Sequence, residues 1–235
     1  DVSAIIIHNL PMWAEFFRAP DVNIALMQEW ESKLEQMAES MMDENVTSLA
    51  GVPSWMLVLL KTILDKKKVS SIHDVWPNLE VYFHGGVSFS PYKEQFKKLL
   101  GNSHVKYVEM YNASEGFFGI QDQLYCDEML LMLDYGIFYE FIEPKDLASQ
   151  DYSCIVSLEG VKTGVDYAII ITTNAGLWRY QLGDVIHFTS TNPYRFRISG
   201  RTKQHINVFG EELMVHNTDA AIAASCEKTH ARVNE

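Results

Sequence analysis

Residues 176–213 read GLWRYQLGDVIHFTSTNPYRFRISGRTKQHINVFGEEL, and they crowd unusual chemistry between short strand-like runs. Trp178, Arg179 and Tyr180 form an aromatic and basic cluster that turns through Gly183 into Asp184. One strand later Gly200 introduces Arg201, Thr202 and Lys203. Charges at the ends of buried-looking strands need partners, because an unpaired ion loses its hydration there. Taken alone, the stretch supports two readings: a nucleotide site followed by a hinge, or an ordinary structural ion pair between Asp184 and Arg201.

The rest of the chain narrows the choice. At 235 residues, with 47% hydrophobic and 12% aromatic residues, it has a core large enough for one domain or one and a half. Its 19 basic and 31 acidic residues leave a net charge of −12, which repels a phosphate backbone over most of the surface. Nucleic acid is therefore not an expected partner, whereas a local basic pocket for one small polyanion is compatible with that charge. Cys126, Cys154 and Cys226 are odd in number and widely spaced, which speaks against a disulfide framework or zinc knuckle and suits a reducing cytoplasm. The longest apolar run, Trp55 to Leu60, stops at Lys61, far short of the roughly 20 residues that span a bilayer. The opening DVSAIIIHNLP has no initiating Met and no signal pattern, so the chain is expected to start inside a fold and to be part of a longer protein.

In order, Ala4–Ile7 reads as a strand and MWAEFFRA as a short helix closed by Pro20. Residues 24–42 read as one amphipathic helix with a methionine-rich core stripe. Val46–Ala50 is a strand candidate, Ser54 a candidate cap for a helix to Asp65, and Lys66–Lys68 a solvated helix end helped by the helix dipole. Ser70–Trp76 reads as a short helix stopped by Pro77. Glu80–His84 forms a strand running into Gly85 and Gly86, followed by Ser90 and Pro91 at the start of a helix ending at Gly101. A strand, a glycine pair and a helix is an order in which α/β folds let a ligand touch bare backbone, although glycine pairs are more often plain turns. His84 reads as a hydrogen-bonded core histidine rather than a ligand.

His104–Met110 is a strand that delivers Tyr111, Asn112, Ala113, Ser114 and Glu115 into a loop. The set offers a flat ring, a hydroxyl for a phosphate oxygen and a carboxylate for magnesium; the plainer reading is an exposed polar loop. Beyond it, Met129–Leu133, Ile137–Ile142, Ser153–Leu158, Tyr167–Thr173, Val185–Thr189, Tyr194–Ile198 and His205–Phe209 are strand-like, and Asn217 is expected to cap a final helix to about Lys228. A βαβ first half thus gives way to a mostly antiparallel second half.

Three loops in sequence, HGG at His84–Gly86, YNASEG at Tyr111–Gly116 and YQLGD at Tyr180–Asp184 followed by GRTKQHINVFGEEL, resemble those of the adenylate-forming enzymes. Within that superfamily, NASEGFFG and GLWRYQLGD followed by SGRTKQHINVFGEEL resemble the Gretchen Hagen auxin-responsive family of acyl acid amido synthetases, in a bacterial style. The resemblance implies an α/β fold like that of acyl-CoA synthetases and luciferases: the C-terminal part of a large adenylation domain over residues 1–200, then a hinge and the start of a small mobile α+β domain over 201–235. It implies that Gly85 and Gly86 lie against adenine and Tyr111 stacks on it, that Ser114 meets the α-phosphate, and that Glu115 holds Mg2+. It further implies that Asp184 accepts the ribose hydroxyls, Arg201 reaches the ribose or phosphate, and Lys203 is the hinge. Glu115 and Arg201 are the catalytic candidates. By looser analogy Trp13, Trp55, Met110 and Phe118 line an acyl pocket; each also reads as plain core.

The implied activity is an ATP-dependent ligase that adenylates a small carboxylic acid and passes the acyl group to an amine, in the first instance an amino acid. An acyl-CoA ligase and a non-catalytic nucleotide- or acyl-binding module are the rivals. The family's glycine-, serine- and threonine-rich phosphate loop and its C-terminal lysine are missing from these 235 residues, and Gln181 stands where many relatives carry Arg. Neither the identity of the acid nor the oligomeric state is legible.

Overall fold

The computed structural model describes residues 7–101, 104–202, 205–208 and 211–229. The expected opening strand, apart from Ile7, and the expected hinge residue Lys203 lie outside them. The chain forms two compact units, with the boundary between Tyr107 and Val108, and among the described residues no helix is long and apolar enough to cross a membrane. The three cysteines are free, as their spacing predicts.

The first unit is helical around two parallel strands. Met12–Phe17 is a 3-10 helix. The single amphipathic helix expected over 24–42 is two helices, α1 (Val22–Ala25) and α2 (Trp30–Met41). The break comes at Glu29, whose carboxylate caps α2 by accepting from the Glu31 and Ser32 amides, satisfying donors that a helix start leaves open. The methionine stripe is partly core: Ala38 and Met41 are buried, and Leu34 and Met37 pack beside them.

Strand β1 (Ser48–Gly51) pairs in parallel with β2 (Val81–His84), and α3 (Pro53–Lys67) makes the crossover, the connection parallel strands require. Ser54 is inside α3 and buried rather than capping it. Pro53 takes the first helical position, where a missing N–H costs nothing. The helix closes on Lys68, which is left-handed at φ 55°, and its basic end is tied by ion pairs to Glu39 of α2 through Lys66 and to Asp43 just beyond α2 through Lys67. The Trp76 indole donates to the Met41 carbonyl and the Tyr82 hydroxyl to the Gly51 carbonyl, so two buried polar tips are satisfied. Helix α4 (Lys93–Leu100) begins two residues beyond Pro91 and ends at Gly101.

The second unit is the antiparallel half. Strands β3 (Lys106–Ala113), β4 (Gly116–Ile120), β5 (Met129–Leu131), β6 (Ile137–Ile142), β7 (Val156–Ser157), β8 (Asp166–Thr173), β9 (Tyr180–Thr191) and β10 (Tyr194–Arg201) lie in the order β3-β4-β5-β10-β9-β8-β6-β7. One face packs Phe118, Phe141, Phe188 and Phe196, all without solvent exposure, against Ile171 and Ile186. A short helix α5 (Pro144–Ala148) and a 3-10 turn (Tyr152–Cys154) follow β6; the latter replaces the first half of the strand expected over Ser153–Leu158. The chain ends with a hairpin of β11 (His205–Val208) and β12 (Glu211–Met214) and helix α6 (Val215–Thr229). Helix α6 starts two residues before Asn217, which is therefore not its cap.

Two departures from the sequence reading shape the site. Strand β3 continues to Ala113, so Tyr111 and Asn112 are strand residues and only Ser114 and Glu115 form the turn into β4. Strand β9 begins at Tyr180, so Gly183 and Asp184 lie within a strand rather than at a turn before one.

Candidate nucleotide site

The geometry around Asp184 follows from a bulge. Along β8, Ala168 pairs with Val185 and Ile170 pairs with Gln181. Ile169 alone therefore faces Leu182, Gly183 and Asp184. Such extra residues bend a strand and re-aim its side chains. Gly183 makes the bend at φ 87°, a conformation other residues rarely adopt, and its carbonyl accepts the Thr202 amide at 2.8 Å. Leu182 goes into the core at 7% exposure, while Asp184 pairs in register with Arg201 across β9 and β10.

Three predicted residues meet at that carboxylate. Arg201 Nε donates to Asp184 Oδ1 at 2.8 Å, and the Tyr111 hydroxyl donates to Asp184 Oδ2 at 2.5 Å. The Asp184 side chain is 14% exposed and that of Arg201 54%. Tyr111 is 6% exposed, its ring packed on Phe118 at 5.0 Å and on Phe196 at 6.1 Å. The aromatic group that the resemblance gives to stacking thus also has its hydroxyl engaged on Asp184. Burial, and next the Asp184 carboxylate, push this phenol far above its usual range, which keeps it a hydrogen-bond donor.

Ser114 and Glu115 occupy the two-residue turn between β3 and β4. Glu115 Oε1 accepts from the Tyr180 hydroxyl at 3.1 Å, and this bond, with the charge of Glu115, raises the Tyr180 phenol above its ordinary value. Tyr180 thereby acquires a partner that its place in an aromatic cluster did not reveal. Its neighbour Arg179 forks onto Glu140 at 2.9 and 2.8 Å and holds a left-handed backbone at φ 46°, with its amide on Thr172 Oγ1. Arg179 is an anchor for the segment that enters β9, and Trp178 beside it is 81% exposed.

The remaining candidates make none of these hydrogen bonds. Gly85 and Gly86 follow β2 in the first unit. Gly86 has φ 84°, and an added Cβ would meet Val52 at an ordinary 3.4 Å, so it is the backbone rather than space that favours glycine there. His84, just before them, is in the core as expected, stacked on Phe89 at 4.1 Å, but contrary to the expectation of a hydrogen-bonded ring its buried Nδ1 has no hydrogen-bond partner among the described residues. Trp13 is 66% exposed and Trp55 47%, the latter edge-on to Trp30 at 4.4 Å. Met110 is half-buried on β3 opposite Ile120, and Phe118 is fully buried in the core of the second unit.

Among the described residues no group of three or more His, Cys, Asp or Glu could hold a metal. A single carboxylate at a turn nevertheless fits Mg2+, which is commonly held by one or two carboxylates together with water and substrate phosphates.

The family model for the GH3 family N-terminal domain matches residues 1–105, and that for the GH3 family central domain matches residues 130–201. The chain belongs to the GH3 family. It is 30% identical over 131 residues to indole-3-acetic acid-amido synthetase GH3.2 of Arabidopsis thaliana, covering 50% of this chain and 23% of that protein. It is 34% identical over 125 residues to GH3.8 of Oryza sativa subsp. indica, covering 49% and 20%. The chain thus spans about a quarter or less of the curated GH3 relatives it matches. These relatives are plant proteins, and nothing supports the bacterial style expected from the motifs.

Among solved structures the fold matches a GH3.15 acyl acid amido synthetase, with a TM-score of 0.66 and 18% identity over 86% of this chain and 45% of that one. It also matches 2-hydroxyisobutyryl-CoA ligase with 2-HIB-AMP in a postadenylation state, at 0.63 and 16% over 83% and 41%. The α/β adenylate-forming fold implied by the three loops is the observed one.

Proposed function

We propose that this chain carries the nucleotide-binding part of an ATP-dependent ligase that activates a small carboxylic acid as its acyl-adenylate and transfers the acyl group to an amino acid. The observation that carries the proposal is the Asp184 carboxylate, which stands beside the Gly183 bulge in β9 and is held between Tyr111 and Arg201. A carboxylate with both oxygens oriented suits a pair of ribose hydroxyls. GH3 family membership and relatives named as amido synthetases support amide rather than thioester formation.

In this reading the acid's carboxylate oxygen attacks the α-phosphorus of ATP and the bond to pyrophosphate breaks. The amino group then attacks the acyl carbon, AMP leaves, and the amine proton passes to solvent. Asp184 binds the ribose, Ser114 meets the α-phosphate, and Arg201 stabilises negative charge at phosphorus. Gly85 and Gly86 are assigned to the adenine. Glu115 would hold Mg2+, which supplies charge neutralisation at the phosphates when bound.

Residues 1–200 are assigned to the large adenylation domain and residues 201–235 to the hinge and the start of a mobile domain, with Lys203 the pivot. Trp13, Trp55, Met110 and Phe118 are the candidates for the acyl side. The three free cysteines suit a cytoplasmic setting.

Pyrophosphate release from ATP with a panel of carboxylic acids, followed by product analysis with amino acids and with coenzyme A, tests the proposal. Acid-dependent release and an amide product are expected. A thioester product would favour the acyl-CoA ligase, and no release with any acid would favour a binding module.

A further inference from the structure

We infer that Tyr111 is a positioning residue for ribose recognition, acting through its hydroxyl on Asp184. The inference rests on the reading of Asp184 as the ribose acceptor and adds a mechanism to it. The carboxylate has two oxygens and about four lone-pair positions. Tyr111 occupies one on Oδ2 at 2.5 Å and Arg201 one on Oδ1 at 2.8 Å, which leaves each oxygen able to accept one more O–H. A vicinal diol brings two such donors. Both protein donors sit on fixed elements, β3 and β10, and approach β9 from different strands, so the carboxylate plane is set before ligand arrives. Ordering done in advance is not charged against binding.

The hydroxyl can be tested apart from the ring. The ring lies against Phe118 and Phe196, neither of which has any solvent exposure. Phenylalanine at this position keeps that packing and any stacking capacity, and removes only the donor to Asp184. Tyr111→Phe therefore separates the hydroxyl from the ring.

The test is calorimetric titration of wild type, Tyr111→Phe, Asp184→Asn and the double variant with AMP and with 2′,3′-dideoxy-AMP. Tyr111→Phe is expected to weaken AMP about tenfold, the scale of one hydrogen bond to a charged group, and to change dideoxy-AMP by less than about twofold. The ratio of the two affinities within one preparation is independent of its folded fraction. In the Asp184→Asn background, adding Tyr111→Phe is expected to cost nothing further for AMP. Equal losses for both nucleotides, no loss for either, or a full further loss in the double variant would overturn the inference while leaving Asp184 as ribose acceptor intact. Wild type binding both nucleotides equally, with Asp184→Asn without effect, would overturn the ribose reading itself.

Discussion

His84 makes the first unit sensitive to acid, and Phe in its place should remove that sensitivity. The residue is 4% exposed, its Nδ1 has no hydrogen-bond partner among the described residues, and burial followed by the nearby Lys93 charge lowers its pKa from 6.5 to about 4. As pH falls, the unfolded chain takes up this proton near 6.5 while native His84 resists it until about 4. The unfolded state binds more protons across that window, so stability falls as pH falls. A shift of this size corresponds to about 3 kcal/mol in full, of which about 2–3 kcal/mol is expressed between about pH 7.5 and pH 4.5. His84→Phe retains an aromatic ring to stack on Phe89, which lies 4.1 Å away, and cannot titrate. Any pH-independent packing difference cancels when the two proteins are compared at both pH values. Urea unfolding should show the variant gaining about 2–3 kcal/mol relative to wild type on acidification. A stability difference that stays constant from pH 7.5 to 4.5 would refute the assigned environment, as would a His84 imidazole titrating near 6.5 by NMR.

The opposite pH sign is expected at Glu109, half-buried on β3, where burial and the charge of Asp127 raise the carboxyl to about 7. Native Glu109 holds its proton to higher pH than the unfolded chain does, so stability is lost as pH rises from the ordinary carboxylate range through 7. Glu109→Gln should therefore gain about 2–3 kcal/mol relative to wild type between pH 5 and pH 8, read by urea unfolding at the two values. Packing offers a separate test at Gly119, where an added Cβ would stand 2.6 Å from Phe196 Cζ. Gly119→Ala should cost about 1–3 kcal/mol by overpacking, and Phe196→Leu should relieve part of that loss in a thermal melt.

The fold was legible where the signals were local. The change from βαβ to antiparallel strands follows from the Gly-rich turns and apolar alternation, and the observed order of elements agrees. Local signals failed where long-range pairing decided. Ser114-Glu115 is not one of the Asn-Gly or Asp-Gly pairs that mark a tight hairpin, so β3 seemed to end at Met110, whereas pairing with β4 carries it to Ala113. Gly183 read as a turn because a glycine before an aspartate usually is one, and only the flanking pairs Ala168–Val185 and Ile170–Gln181 make it a bulge. In the site, the Asp184–Arg201 pairing was foreseeable from spacing across a hairpin. The Tyr111 and Tyr180 hydroxyl bonds span 73 and 65 residues and leave no periodic trace in the sequence.

The central claim is that Asp184 belongs to a nucleotide site, and ATP titration by calorimetry addresses it most directly. Asp184→Ala removes both oxygens, and Asp184→Asn keeps their shape without the charge. Loss of hydrogen bonds from a charged acceptor predicts at least about tenfold weaker ATP binding in each variant, with circular dichroism like that of wild type. ATP bound with undiminished affinity by both folded variants would contradict the account.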